Sequence, residues 1–135
     1  MTSVALFTGS RNMPMDASNF AKVYALVSRM LAQRAAVLVG DCPTGLDALV
    51  RRAGDTYDEQ IAVGVRVFRA QWHLLGKRAG PIRNQAMVDK ALLLAGPQPF
   101  ECHAYPMGES RGTRGCMRMA KAAGAFMHIT ELECT

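Results

Sequence analysis

The sequence predicts an α/β fold with three layers, α/β/α, around a mostly parallel five-stranded sheet in the order 3-2-1-4-5. Three observations predict it. Short apolar runs alternate with longer segments whose apolar residues recur at helical spacing. Glycine-bearing joints separate the two kinds of segment, and no repeat, linker or low-complexity tract interrupts them. The apolar runs also read as strands buried on both faces, which parallel sheets covered by helices require. Right-handed crossovers then restrict the topology. In the order 3-2-1-4-5, strands one and four lie side by side at the reversal, where open α/β sheets bind ligands beyond their strand C-termini.

The elements follow in order. Val4 to Thr8 is an apolar strand ended by Gly9. From Asn19 to Arg34, Phe20, Val23, Tyr24, Val27, Met30 and Leu31 keep i, i+3, i+4, i+7 spacing, so this stretch is an amphipathic helix capped by Asp16 or Ser18. Ala36 to Val39 is the second strand, ended by Gly40. The next helix starts near Thr44, buries Leu46, Leu49, Val50 and Ala53, and is expected to pass Gly54, because Tyr57 and Ile61 continue the spacing. Val65 to Phe68 is strand three. Gly80-Pro81 opens a helix with proline at its first position, running through Met87, Val88, Ala91 and Leu92 and ended by Gly96-Pro97. Phe100 to Tyr105 is strand four. Thr113 caps a helix through Ala123 that Gly124 closes. Ala125 to Ile129 is strand five, followed by a polar surface tail.

With 135 residues, the chain forms one domain, residues 1–135, large enough to fold without disulfides or metal. Half of it is hydrophobic and a fifth charged, a globular composition. Of the four cysteines, Cys42, Cys102, Cys116 and Cys134, none forms a C-x-x-C pair, and no zinc ligand set or cofactor is expected. Cys102 beside His103 is the nearest thing to a metal pair, and a buried strand accounts for it more simply. No apolar run reaches membrane-spanning length and no signal peptide is evident, so a cytoplasmic protein with reduced thiols and no membrane partner is expected. The net charge of +5, with arginine well in excess of lysine, suits anionic partners.

The candidate site residues sit in the loops that follow the strands. Gly9-Ser10-Arg11 follows strand one. Gly40 to Asp47 follows strand two, with Thr44, Gly45 and Asp47 at the helix start. Pro106 to Thr113 follows strand four, with Gly108, Ser110, Arg111, Gly112 and Thr113. Such loops aim backbone N–H groups outward, and helix N-termini favour anions. Ser10, Thr44, Ser110 and Thr113 add hydroxyls, and Arg11, Arg111 and Arg114 add charge, although Arg114 with Arg118 also suits a solvated face. Glycines after strands also serve any tight turn, but three such loops at one end of a sheet point to a ligand. Thr44-x-x-Asp47 fits a capping box as well as ribose recognition. Phe68 to Asn84 holds the sole tryptophan, Trp72, and places Arg83 and Asn84 in the first turn of a helix. Pocket duty competes here with a simpler reading, in which Trp72 plugs the core and Arg83 pairs with a surface acid.

Together, Gly9-Ser10-Arg11, Gly45-x-Asp47, F-x-A-x-W with G-x-x-A-G-P-x-R-N-x-x-M from Phe68 to Met87, and Gly112-Thr113 resemble the YspA-like branch of the SLOG superfamily. The resemblance spans about Val4 to Ile129. The superfamily also holds the LOG phosphoribohydrolases and the Rossmann domain of DprA. The resemblance implies a Rossmann-like fold and a nucleotide-derived ligand, ADP-ribose-like or another signalling nucleotide, and it adds Gly80, Pro81 and Met87 to the ligand-binding set. The chain departs from the family in two places. The usual G-G-A-x-G-x-D reads here as Gly40-Asp41-Cys42-Pro43-Thr44-Gly45-Leu46-Asp47. The LOG pattern P-G-G-x-G-T-x-x-E is matched by Pro106 to Cys116, where the loop is longer and Cys116 replaces the catalytic glutamate. A thiol does not substitute for a carboxylate that handles protons or steadies oxocarbenium character. Glu109 is the nearest alternative carboxylate.

The leading expectation is therefore a protein that binds a nucleotide-like small molecule without catalytic residues of its own. Backbone loops and Arg11 and Arg83 would hold phosphate, Asp47 or Asn84 would hold ribose hydroxyls, and Trp72 would stack or wall the pocket. It would act as a sensor, or as a sequestering protein of the kind a phage encodes against host signalling. An alternative is an N-glycosidase of LOG type acting through Glu109 or Asp47. DprA-like nucleic-acid binding ranks last, because one tryptophan and no basic–aromatic run leave few stacking platforms. Apolar helix faces leave room for a homodimer or higher homo-oligomer.

Overall fold

The computed structural model describes residues 3–57 and 64–134. The chain runs β1 (Val4–Gly9), α1 (Ala17–Ala32), β2 (Ala36–Gly40), α2 (Gly45–Thr56), β3 (Val65–Phe68), α3 (Trp72–Leu75), a 3-10 turn (Gly76–Arg78), α4 (Ala79–Ala95), β4 (Glu101–Tyr105), α5 (Arg111–Ala122) and β5 (Phe126–Ile129). The five strands form one sheet in the order β3-β2-β1-β4-β5. Every pairing is parallel. The predicted fold class and strand order are what the structure has.

Alternation along the strands splits the core in two. Ala5, Phe7, Val37 and Val39 face one side and pack with Val23, Val27 and Leu31 of α1 and Leu46, Leu49 and Ala53 of α2. Val4, Leu6, Leu38, Cys102 and Ala104 face the other and pack with Met87, Val88 and Ala91 of α4 and Cys116 and Ala120 of α5. The two helix pairs are offset across the sheet. α1 and α2 lie over β1, β2 and β3, while α4 reaches β1 to β3 and α5 reaches β1, β4 and β5. The α1/α2 side of β4 and β5 therefore has less helix above it. Phe126 on that side is 62% exposed.

Several boundaries differ from the expectation, each for a local reason. Asp16 is the cap of α1, its carboxylate accepting from Asn19 N at 2.8 Å. α2 stops at Thr56, because Tyr57 is already in extended backbone; Ile61, expected to continue the helix, lies outside the described residues. Pro81 is the third residue of α4 rather than the first, since Ala79 and Gly80 already belong to the helix. A missing N–H is harmless anywhere in the first turn, where no helical acceptor precedes it. α3 and the 3-10 turn before α4 were not anticipated. Thr113 is the third residue of α5 instead of its cap; Ser110 stands at the cap in a left-handed conformation, φ 41°, without a side-chain capping bond.

Candidate functional site

The sheet's C-terminal edge gathers polar groups from five elements. Of the residues with buried polar or charged side chains among those described, Thr8, Ser10, Asp47, Asn84 and Thr113 lie here. Of the buried polar residues described, His103 on β4 alone lies elsewhere, so this edge is where burial of polar atoms is concentrated. Each such atom needs a partner, and the bonding scheme shows what each residue does.

Ser10 continues the β1–β4 ladder, its N–H donating to Tyr105 O at 3.0 Å. Its carbonyl then accepts from Met13 N and from Leu46 N, both at 3.2 Å, and its hydroxyl accepts from Asn12 N at 3.0 Å. The loop after β1 is thereby pinned to the start of α2. Gly45 makes this possible. Its φ is +73°, and a Cβ there would run into the backbone of Ser10 and Arg11. Thr44 supports the same junction, its hydroxyl donating to Arg11 O at 2.9 Å. The Thr44–Asp47 capping box is thus not formed. Thr44 makes no side-chain cap bond, and the Asp47 carboxylate accepts from Cys42 N at 3.2 Å, ahead of the helix.

An acidic and basic cluster closes over the end of β2. Arg83 of α4 donates from Nη1 to Asp41 Oδ1 at 2.9 Å and from Nε to Asn84 Oδ1 at 2.8 Å. Asp41 also accepts from Ala70 N, at 3.3 Å to each carboxylate oxygen, tying the loop after β3 to the same point. Arg51 of α2 donates to Gly40 O at 3.2 Å. Gly40 has no room for a side chain: a Cβ would stand 2.5 Å from Arg83 Nη1 and 2.7 Å from Asp47 Oδ2. Asn84 extends the network across the sheet edge, its Nδ2 donating to Gly112 O at 3.4 Å, the long limit of a hydrogen bond.

Burial raises the Asp47 carboxyl above its ordinary range, against the opposing pull of Arg83, the Cys42 N–H and Arg51. Cys116 is fully buried. Burial pushes its thiol up to about 11, although the Thr8 hydroxyl donates to the sulfur and works in the other direction. A thiol so placed stays protonated and inert at neutral pH.

The remaining predicted residues divide by exposure. Arg11, Thr44, Pro81, Gly108, Arg111 and Gly112 lie at the surface, and Gly9 fits against Leu46 of α2. The first N–H groups of α5, at Arg111, Gly112 and Thr113, precede its first helical bond, Arg114 N to Ser110 O, and a Cβ on Gly112 would meet nothing within 4 Å. Met87 is 1% exposed and belongs to the core, so it offers no surface to a ligand. Trp72 does not plug the core: it is 57% exposed and its ring lies over buried Gly80. Arg83 does pair with an acid, the half-buried Asp41. Arg114 is committed internally, bonding Gly108 O, Glu109 O and both carboxylate oxygens of Glu131. Asp41 is the residue that sequence reasoning missed. Its signal was an acid directly after the Gly40 that ends a buried strand.

A concavity of about 180 Å³ lies away from this edge, lined by Arg51, Gly54, Asp55, Val65 and Val67. It is smaller than the range of about 300–1,000 Å³ that holds small-molecule ligands, and none of the residues expected to bind ligand lines it. No helix among the described residues is long and apolar enough to cross a membrane.

No family model matches the chain, and no solved structure matches it. The chain is similar to the Gene 61 protein of Mycobacterium phage D29, with 39% identity over 89 residues, 65% of this chain and 66% of that protein. It thus spans just under two thirds of that relative's length.

Proposed function

We propose that the chain binds a nucleotide-derived, phosphate-bearing small molecule at the C-terminal edge of its sheet, as a sensor or sequestering protein of the YspA-like SLOG type. The observation that carries this reading is the convergence of Ser10, Asp47, Asn84 and Thr113, all buried, from four different elements on the β1/β4 switch point. The amides of Arg111, Gly112 and Thr113 at the α5 N-terminus would take phosphate, with exposed Arg11 and Arg111 beside the edge supplying charge. Asp47 and Asn84 would take hydroxyls. Arg83 is already neutralised by Asp41, so its part is to hold Asp41 and Asn84 in place rather than to meet phosphate as a free charge.

One observation favours a second reading, N-glycoside cleavage. Asp47 is a buried carboxyl held protonated beyond its usual range, the property a general acid needs. The carboxylate position of the LOG enzymes is occupied here by the protonated thiol of Cys116, and Glu109 is solvent-exposed and faces Arg111 at 3.7 Å.

A thermal-shift panel of AMP, cyclic nucleotides, NAD, ADP-ribose and cyclic ADP-ribose forms, with chromatography of each mixture, separates these readings. A ligand at ~100 times its dissociation constant adds about 2.7 kcal/mol, a shift of several degrees. A shift with the ligand recovered intact supports the binding protein; a shift with free base released makes the chain an enzyme, and loss of that release in Asp47→Asn assigns it to Asp47. No shift with any compound removes the proposal.

A further inference from the structure

A second polar cluster lies on β4 and β5, away from the strand C-termini. The register pairs His103 directly with His128, and Glu101 stands two residues before His103 on the same face. One donor atom from each of the three lies within 4.8 Å of the others. Glu101 Oε1 is 2.9 Å from His128 Nε2 and 3.5 Å from His103 Nε2. Glu101 thus lies nearer to His128 than to His103. The result is an orphan: His103 Nε2 is buried and, among the described residues, the one buried side-chain nitrogen or oxygen without a hydrogen-bond partner. Its side chain is 7% exposed. An unmade bond at a buried imidazole costs free energy that folding would otherwise remove.

We propose that Glu101, His103 and His128 form a binding site for a divalent transition ion of the zinc class. Two imidazoles and one carboxylate are the donor set of open, three-ligand zinc sites, which leave a further position for water or a small ligand. Hard ions such as calcium prefer all-oxygen shells and fit this set poorly. Tetrahedral zinc holds its nitrogen and oxygen donors about 3.3 Å apart, a value bracketed by the 2.9 and 3.5 Å separations from Glu101.

The rings set the condition for loading. His103 and His128 stack at 4.4 Å between centroids and 5° between planes, with Phe7 stacked on the far side of His103 at 5.0 Å. An ion lies in the plane of each imidazole that binds it, so one of two parallel rings must turn. His103 is held between Phe7 and His128, whereas the His128 side chain is 41% exposed, so His128 is the ring that would have to turn. Entry is from the solvent side, past Glu101 and His128. Arg29 of α1 adds an opposing positive field, which the Glu101 carboxylate offsets. The site sits toward the N-terminal end of β4, with Glu101 about 13 Å along the strand from Tyr105, where the other polar edge begins. It stands or falls independently of the nucleotide proposal.

The test uses untagged, chelator-treated protein titrated with Zn²⁺ by calorimetry and with Co²⁺ by visible absorption, alongside His128→Gln and Glu101→Gln. Both substitutions fall at half-exposed side chains. The proposal expects one ion per chain, the intense d–d bands of low-coordinate cobalt, and affinity at least about tenfold weaker in either variant. A readout on the unsubstituted chain backs this up: the ring resonances of His103 and His128 shift with zinc while those of His73 do not. Absence of saturable binding overturns the proposal. So does binding that persists unchanged in His128→Gln, which would place the ion on exposed thiols such as Cys134.

Discussion

Two polar clusters are built on the same sheet and solve the same problem differently. At the C-terminal edge, Asp41, Arg83, Asn84, Ser10 and Thr44 are bonded to one another or to backbone, so the buried groups are largely satisfied by the chain itself. On the β4/β5 face, Glu101 meets His128 and leaves His103 Nε2 bare. The first cluster is stitched from loops and helix starts, whose backbone groups are available as partners. The second is carried by strand interiors, where the ladder already uses those groups, so a buried side chain there finds a partner only in another side chain or in something bound. One cluster is an edge whose polar groups are ordered by internal bonds; the other leaves a buried nitrogen unbonded.

The largest expected effect comes from breaking the first cluster at its junction. Gly45→Val places a Cβ against the Ser10 and Arg11 backbone at a left-handed φ and should cost about 2–4 kcal/mol. Urea unfolding measures this, and a variant of unchanged stability would mean that the Ser10–Gly45 junction is not fixed. Next, Arg83→Met leaves Asp41 partly buried without its cation and removes a bond to Asn84; the expected loss is about 1–3 kcal/mol. Under the proposed nucleotide-binding reading, the same substitution should also weaken binding by displacing Asn84. Normal binding in a destabilised protein would show that the cluster serves stability alone.

Asp47 sharpens the contrast through pH. Its folded-state pKa lies above the unfolded value of 3.8, so the folded state holds this proton more tightly. The resulting stability is fully present below pH 3.8 and is lost as pH rises through the folded pKa. Asp47→Asn should therefore gain stability relative to wild type as pH climbs to neutrality, by about 1 kcal/mol, while losing ligand. Melting curves at several pH values check the sign, and a constant gap between the two proteins sinks the account. The smallest effect concerns Glu131→Gln, which removes the tail's grip on Arg114. Both groups are at the surface, so global stability should hardly move. Faster hydrogen exchange at Gly108 to Ser110 is the expected readout.

Much of the fold was legible in the sequence because it is written in periodicity. Short apolar runs ended by glycine located β1 and β2, since burial on both faces leaves a continuous hydrophobic signature; β3, a partly exposed edge strand, also has the expected bounds, Val65–Phe68. The errors fell where local chemistry decides. Thr113 and Pro81 are plausible first residues by preference, yet preceding turns already supplied helical backbone at Arg111 and Ala79. The alternative in which Trp72 plugs the core fails, because a short surface helix carries the ring outward.

The sequence by itself determined the strand–helix alternation and the loops in which glycines and hydroxyls collect, because spacing and turn chemistry are local properties, and the sheet order followed only with the general handedness of crossovers added. Only the tertiary structure decided the partners. Asp41 meets Arg83 across 42 residues, and His103 meets His128 across a strand pairing, while adjacent Cys102 and His103 point to opposite faces and cannot act as a pair. Contacts of that kind depend on register and on the packing of helices over the sheet, and neither leaves a mark on the residues that lie next to one another in the chain.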